Sequence, residues 1–128
     1  MGDNVALHRK GHEAFSRGDM DYLAELFAPD ILWHVAGRSP VAGDYRGRDA
    51  VFEFFGSLAQ LSGSTLELED QFFMGQGDRT VALFKLKATR GERVLDHDFC
   101  EVVRWENGKV AEDWGFAFDQ YTYDEFWS

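Results

Sequence analysis

Between Leu66 and Asp119 the chain runs through four strand-length segments of alternating character, separated by tight turns. Few folds accept that pattern. Leu66, Leu68, Phe72 and Met74 read as one face of the first segment, with Asp70 among them. Gly75-Gln76-Gly77-Asp78 turns the chain into Thr80–Arg90, and Gly91 turns it into Arg93–Glu106. Asn107-Gly108 is the pair that a two-residue hairpin favours, because both positions need positive φ. Lys109–Asp119 then returns. Short turns of this kind join antiparallel neighbours, so the second half reads as a meander.

The first half follows a helical period instead. Asp3 or Asn4 can cap a helix running to about Arg17, with Val5, His8, His12 and Phe15 on one face. Gly18 stops it. Asp19 can cap a second helix whose stripe is Tyr22, Leu23, Leu26 and Phe27, and Pro29 follows its end. Ile31 to Ala36 alternates as a short strand, and Gly37 to Gly47 reads as a loop with a short strand around Tyr45. Asp49 to Leu61 is helical again. Thr122-x-x-Glu125 has the form of a capping box, with Tyr121 and Phe126 as its staple, so a short helix is predicted at the end.

Helices segregated from an antiparallel sheet make an α+β fold. The expected architecture is a cone: a curved antiparallel sheet wrapped around three N-terminal helices, closed by a short C-terminal helix, with one apolar pocket. The 128 residues suit a single domain over 1–128. Aromatics make up 16%, with 12 Phe, 4 Trp and 4 Tyr, more rings than one small core requires, and they suit a cavity lining.

Thirteen basic residues against 23 acidic ones give a net charge of −10, which repels phosphate backbones and anionic lipid. Neither nucleic acid nor membrane is expected as a partner. Cys100 is a lone cysteine and fits a reducing, cytoplasmic setting. The first residues lack the layout of a signal peptide.

Several segments resemble the nuclear transport factor 2-like superfamily. Phe15-Ser16-Arg17-Gly18-Asp19-Met20-Asp21-Tyr22-Leu23 is similar to its first helix junction, and Leu26 to His34 to the segment that follows. Gly43 to Val51 with Phe54-Phe55 resembles the third helix and its entry. Asn107-Gly108-Lys109-Val110 with Glu112, Trp114 and Asp119 resembles the final hairpin. Within the superfamily the chain is most similar to the SnoaL-like group, which includes polyketide cyclases. Ketosteroid isomerase, scytalone dehydratase and limonene epoxide hydrolase are more distant. The resemblance implies a homodimer paired through the outer sheet face, with Trp33 and Val102 as contacts.

Candidate site residues follow. Counted back from Gly37, His34 falls where a ketosteroid isomerase has its base, and imidazole titrates in the right range for that work. On Arg93–Glu106 the more aromatic face carries His97, Phe99, Glu101, Val103 and Trp105, and is placed toward the cavity. Glu101 aligns with the isomerase's neutral oxyanion-hole acid, and rings around it should raise its pKa. His97 is a second acid–base or orienting group.

Phe15, Tyr45, Phe54, Phe99, Trp105, Trp114, Phe116 and Phe118 are expected to line the pocket. Gly11 stands where the isomerase has its tyrosine, and Phe116 where the epoxide hydrolases have a final-strand aspartate, which disfavours both activities. His8 and His12 have a spacing that can bind zinc, but no His-Glu-x-x-His pattern exists and Phe15 continues their face. They are expected to pack in a core or interface, with no metal and no cofactor.

The resulting expectation is a cofactor-independent acid/base enzyme of isomerase, cyclase or dehydratase type. Its partner is a small apolar carbonyl or polycyclic compound. The alternative is a non-catalytic dimeric domain that binds a small apolar molecule.

Overall fold

A computed structural model describes residues 3–128. Four helices and six strands follow in the order α1 (Asp3–Ser16), α2 (Met20–Leu26), β1 (Phe27–Val35), β2 (Gly43–Arg46), α3 (Arg48–Ser62), β3 (Glu67–Gln76), β4 (Arg79–Arg90), β5 (Arg93–Glu106), β6 (Lys109–Ala117), α4 (Gln120–Trp127). Among the described residues, no helix is long and apolar enough to cross a membrane.

The strands form one sheet in the order β2-β1-β6-β5-β4-β3. β3 to β6 are the antiparallel meander that the turns predicted. β1 adds to the free edge of β6 in parallel, and β2 closes that end antiparallel to β1. The sheet curves around α1 and α3, so each strand has an inner and an outer face. Inner positions supply two joined cores. One holds Phe54, Leu58, Phe84, Leu86, Tyr123 and Trp127. The other holds Leu23, Ile31, Val51, Val103 and Trp105.

β1 begins at Phe27 rather than Ile31, which takes Phe27 out of the α2 stripe, and its parallel pairing with β6 departs from the antiparallel sheet expected. Two further local readings change. The first concerns β3. Asp70 pairs with Phe84 but Phe72 pairs with Leu83, so Gln71 is an extra residue in the ladder. A bulge of this kind reverses the alternation beyond it. Phe73 therefore turns inward against His8 and His12, while Phe72 and Met74 are 45% and 47% exposed. The second concerns α4, whose cap is Asp119 rather than Thr122. The Asp119 carboxylate accepts the Thr122 N–H at 3.2 Å and its hydroxyl at 2.8 Å.

α4 lies across the open end of the cone and is tied down at both ends. Arg90 and Arg93 donate to the backbone carbonyls of Phe126 and Ser128. At the other end, the Asp124 carboxylate accepts the Arg38 N–H at 3.1 Å, and Gln120 donates to the Ala36 carbonyl. Gly37 makes that approach possible. Its φ is +105°, and a Cβ there would fall into the Asp124 carboxylate and the Gln120 amide. Gly37→Ala should destabilise the fold by about 1–3 kcal/mol in urea unfolding, combining backbone strain with loss of the α4 tether. A variant as stable as the parent would show that this contact does not hold α4.

Candidate active site

The inner face encloses a cavity of about 120 Å3. Its walls are almost wholly apolar, with Phe15, Leu23, Phe54, Leu58, Leu68, Phe99 and Trp127 among them. Its polar atoms gather at one end, where His8, His12, Glu101 and Asp113 meet.

Each of these side chains is aimed by its element. His8 and His12 are one helical turn apart, so both project from the same face of α1 toward the sheet. Glu101 projects inward from the middle of β5. Its cross-strand neighbours are Ala82 and Gly115, whose small size leaves room for the two imidazoles. Thr80 and Asp113 flank Val103 in the next inner row. Asp70, opposite Phe84, is the last inward residue before the bulge.

The hydrogen bonds fix most of the protons. The Trp105 Nε1–H can only donate, and it does so to Thr80 Oγ1 at 2.7 Å. The Thr80 hydroxyl is then free to donate to His8 Nδ1 at 2.8 Å. His8 Nε2 accordingly carries the proton it donates to Glu101 Oε1 at 2.8 Å. His12 has a carboxylate oxygen at each nitrogen: Asp70 Oδ1 at 2.8 Å from Nδ1 and Glu101 Oε1 at 2.6 Å from Nε2. Both nitrogens must donate, so His12 is an imidazolium.

The electrostatics agree. Burial opposes the charge on His12, but the Glu101 and Asp70 carboxylates overcome it and raise its pKa to about 9. Glu101 is likewise buried. Hydrogen bonding from Asp113 and both histidines, together with the His12 charge, nevertheless holds it well below the usual carboxylate range. The opposite happens at Asp113. Burial first, and the neighbouring Glu101 charge second, push its pKa well above the ordinary value, so this carboxyl keeps its proton. Two carboxyls that share a dry site separate into one anion and one acid. Asp113 Oδ1 has no hydrogen-bond partner among the described residues.

This corrects the expected assignment. Glu101 faces the cavity as predicted, but as the anion, and Asp113 is the neutral acid. His8 and His12 belong to the site rather than to ordinary packing. The spacing that raised a zinc reading was the available signal for them. Asp113 carried none, because its importance comes from a cross-strand neighbour.

His34 borders the cavity, but its imidazole turns away from it. On β1, Trp33 and Val35 pack into the interior, so alternation turns the His34 imidazole to the outer face. There its Nδ1 meets Asp44 at 2.7 Å, its Nε2 meets Glu112 at 2.6 Å, and its ring stacks on Trp114. Burial opposes its charge, but Glu112 and Asp44 outweigh it and raise its pKa. The His34 imidazole is thus not placed to act as the cavity base, and Trp33, partly buried, packs against the core from the inner face.

Among the rings, Phe15, Phe54, Phe99 and Trp105 line the cavity. Trp114 does not, because it shares the outer face with His34. Phe116 and Phe118 are 46% and 66% exposed and do not line it either. Tyr45 packs on Phe54 behind the wall, and its hydroxyl donates to the Val41 carbonyl at 2.6 Å. His97 is on the inner face but outside the cavity lining, stacked parallel to Tyr123.

His8, His12 and Glu101 are also the set that could hold a metal ion, since their ligand atoms lie within 4.8 Å of one another. Two ligands about 2.1 Å from one ion stand about 3.0–3.4 Å apart. The 2.6 and 2.8 Å separations are those of hydrogen bonds instead, and every imidazole nitrogen already has a partner. The arrangement fits acid/base chemistry better than ligation.

The SnoaL-like domain profile matches residues 8–113. The chain belongs to the SnoaL-like family. Rv0034 of Mycobacterium tuberculosis, an uncharacterised protein, is 32% identical over 127 residues, covering 98% of this chain and 96% of that one. The structure of Bal32a, from a soil-derived mobile gene cassette, superposes with a TM-score of 0.96 at 36% identity, covering 99% of this chain and 98% of the other. An NTF2-like protein of unknown function from Burkholderia pseudomallei gives 0.88 at 28%, covering 100% and 99%. These likenesses support the cone-shaped α+β architecture of this SnoaL-like chain.

The charge on His12 gives a signed prediction. Its folded pKa, about 9, exceeds the ordinary 6.5, so its stabilisation is complete below pH 6.5 and disappears as pH rises through 9. Unfolding free energy should fall over that window by up to about 3 kcal/mol. His12→Gln should remove that part of the slope. An NMR titration midpoint for His12 near 6.5 would contradict the imidazolium assignment.

Proposed function

We propose that this SnoaL-like protein is a cofactor-independent acid/base enzyme acting on a small apolar carbonyl compound. The reaction is proton abstraction next to the carbonyl, of the kind that leads to isomerisation or cyclisation. The observation that supports it is the Glu101–Asp113 pair: a carboxylate and a neutral carboxylic acid together at the end of an otherwise apolar cavity.

The roles follow from the protons. Glu101 is the base. It takes the proton from the carbon beside the carbonyl, and the C–H electron pair moves into the enolate. Once protonated, Glu101 no longer needs the Asp113 hydrogen bond. The Asp113 O–H is then free to serve the enolate oxygen, which stabilises charge where it develops. Glu101 returns the proton to the same or another carbon, and the site is restored. His8 and His12 orient Glu101 and keep it anionic before substrate arrives. The rings exclude water, so each hydrogen bond acts in a low dielectric.

Size narrows the substrate. An apolar cavity of roughly 150 Å3 is enough for benzene. At about 120 Å3 the cavity is smaller than that, so a single small ring is the upper limit and a polycyclic ligand is too large. With His12 positive and Glu101 and Asp70 negative, the polar end carries excess negative charge, which favours a neutral carbonyl over a carboxylate.

The test needs no natural substrate. Purified protein in D2O should exchange the α-hydrogens of cyclohexanone, followed by NMR. Glu101→Gln and Asp113→Asn should each slow exchange by about a hundredfold or more. His34→Ala should leave the rate unchanged. Loss of exchange in His34→Ala, with Glu101→Gln unaffected, would overturn these assignments. Tight ketone binding without exchange would favour the binding-domain alternative.

A further inference from the structure

Phe99 stands on the inner face of β5, two residues from Glu101 on one side and two from His97 on the other. In the ladder it pairs with Ala117, whereas Glu101 pairs with Gly115. Its ring does not stay over its own pair. A Cβ built on Gly115 would lie 2.8 Å from Phe99 Cζ and 2.9 Å from Cε1, so the ring leans one step toward Glu101 and fills the space a side chain at 115 would take. Phe84 at 5.4 Å and Tyr123 at 5.7 Å, between ring centroids, hold it there.

Behind the ring is His97. Both its ring nitrogens are buried and lack a partner among the described residues. It faces the same side as Glu101 and its ring centroid is 6.5 Å from that of Phe99, yet only Phe99 contributes to the cavity wall. The cavity wall thus takes in Leu86 and Tyr123, the cross-strand and stacking neighbours of His97, together with Phe99, but not the His97 imidazole itself.

We propose that Phe99, seated on Gly115, is the specificity-determining residue that limits this site to ligands of single-ring size by separating the cavity from His97. The proposal rests on the reading of the cavity as the substrate site. It adds the residue that sets the size class. A smaller side chain at 99 opens the cavity wall toward the buried His97 nitrogens and presents them to the far end of a longer ligand.

Binding is measured with the full chain by calorimetry, using cyclohexanone as the one-ring probe and 1-tetralone as the two-ring probe. The parent should bind cyclohexanone at least about tenfold more tightly than 1-tetralone. Phe99→Ala should reverse that order, and Phe99→Leu, which keeps more of the packing, should move it in the same direction. Circular dichroism confirms that each variant is folded. In Phe99→Ala, 1-tetralone should shift the His97 ring resonances, and in the parent cyclohexanone should leave them in place.

A parent that binds 1-tetralone as tightly as cyclohexanone, or binds neither, overturns the proposal. So does an unchanged preference in both folded variants. These readouts do not involve turnover. Failure of the acid/base reading would appear as absent α-exchange with the size preference intact, and failure of this inference as the reverse.

Discussion

One buried negative charge organises the interior. A carboxylate in an apolar cavity is costly unless it is paired and hydrogen-bonded, and Glu101 is nearly fully enclosed. The structure meets that cost from three directions. α1 brings His8 and His12, β6 brings Asp113, and β3 brings Asp70 to hold the far side of His12. Thr80 and Trp105 complete the shell behind His8. Removing one partner leaves an uncompensated charge rather than a missing contact, so the cluster couples the packing of α1 to the register of four strands.

The same cluster creates the chemistry. Glu101 can be anionic because cationic and neutral donors surround it, and its charge in turn keeps Asp113 protonated. A base and an acid therefore coexist within one dry site. The rings do not react, but by excluding water they maintain the separation of protonation states.

Sequence pattern located the elements well where each strand or helix keeps a single period. The Asn107-Gly108 hairpin, the Asp19 cap and the inner face of β5 all follow from local rules. Pattern failed where one element changes period midway. At Gln71 the bulge reverses β3, so Phe72 and Met74 point out and Phe73 points in, with nothing in the local sequence to mark it. His34 failed for another reason. Its parity within the strand follows from the sequence, but alternation alone does not say which face is inner. That was decided by Trp33 and Val35 packing on the core, which left His34 to Asp44, Glu112 and Trp114 outside.

By itself, then, the sequence determined the class of fold, the order of its parts, the SnoaL-like resemblance and the inward placement of Glu101. These depend on periodicity, turn chemistry and parity, which act over a few residues. Tertiary structure alone decided the protonation pattern and the membership of the site. His8 and His12 reach Glu101 from α1 and Asp113 reaches it from β6, while Asp70 holds His12 from β3. Whether a carboxyl is an acid or an anion depends on which neighbours the fold brings within hydrogen-bonding distance and on how completely it removes water.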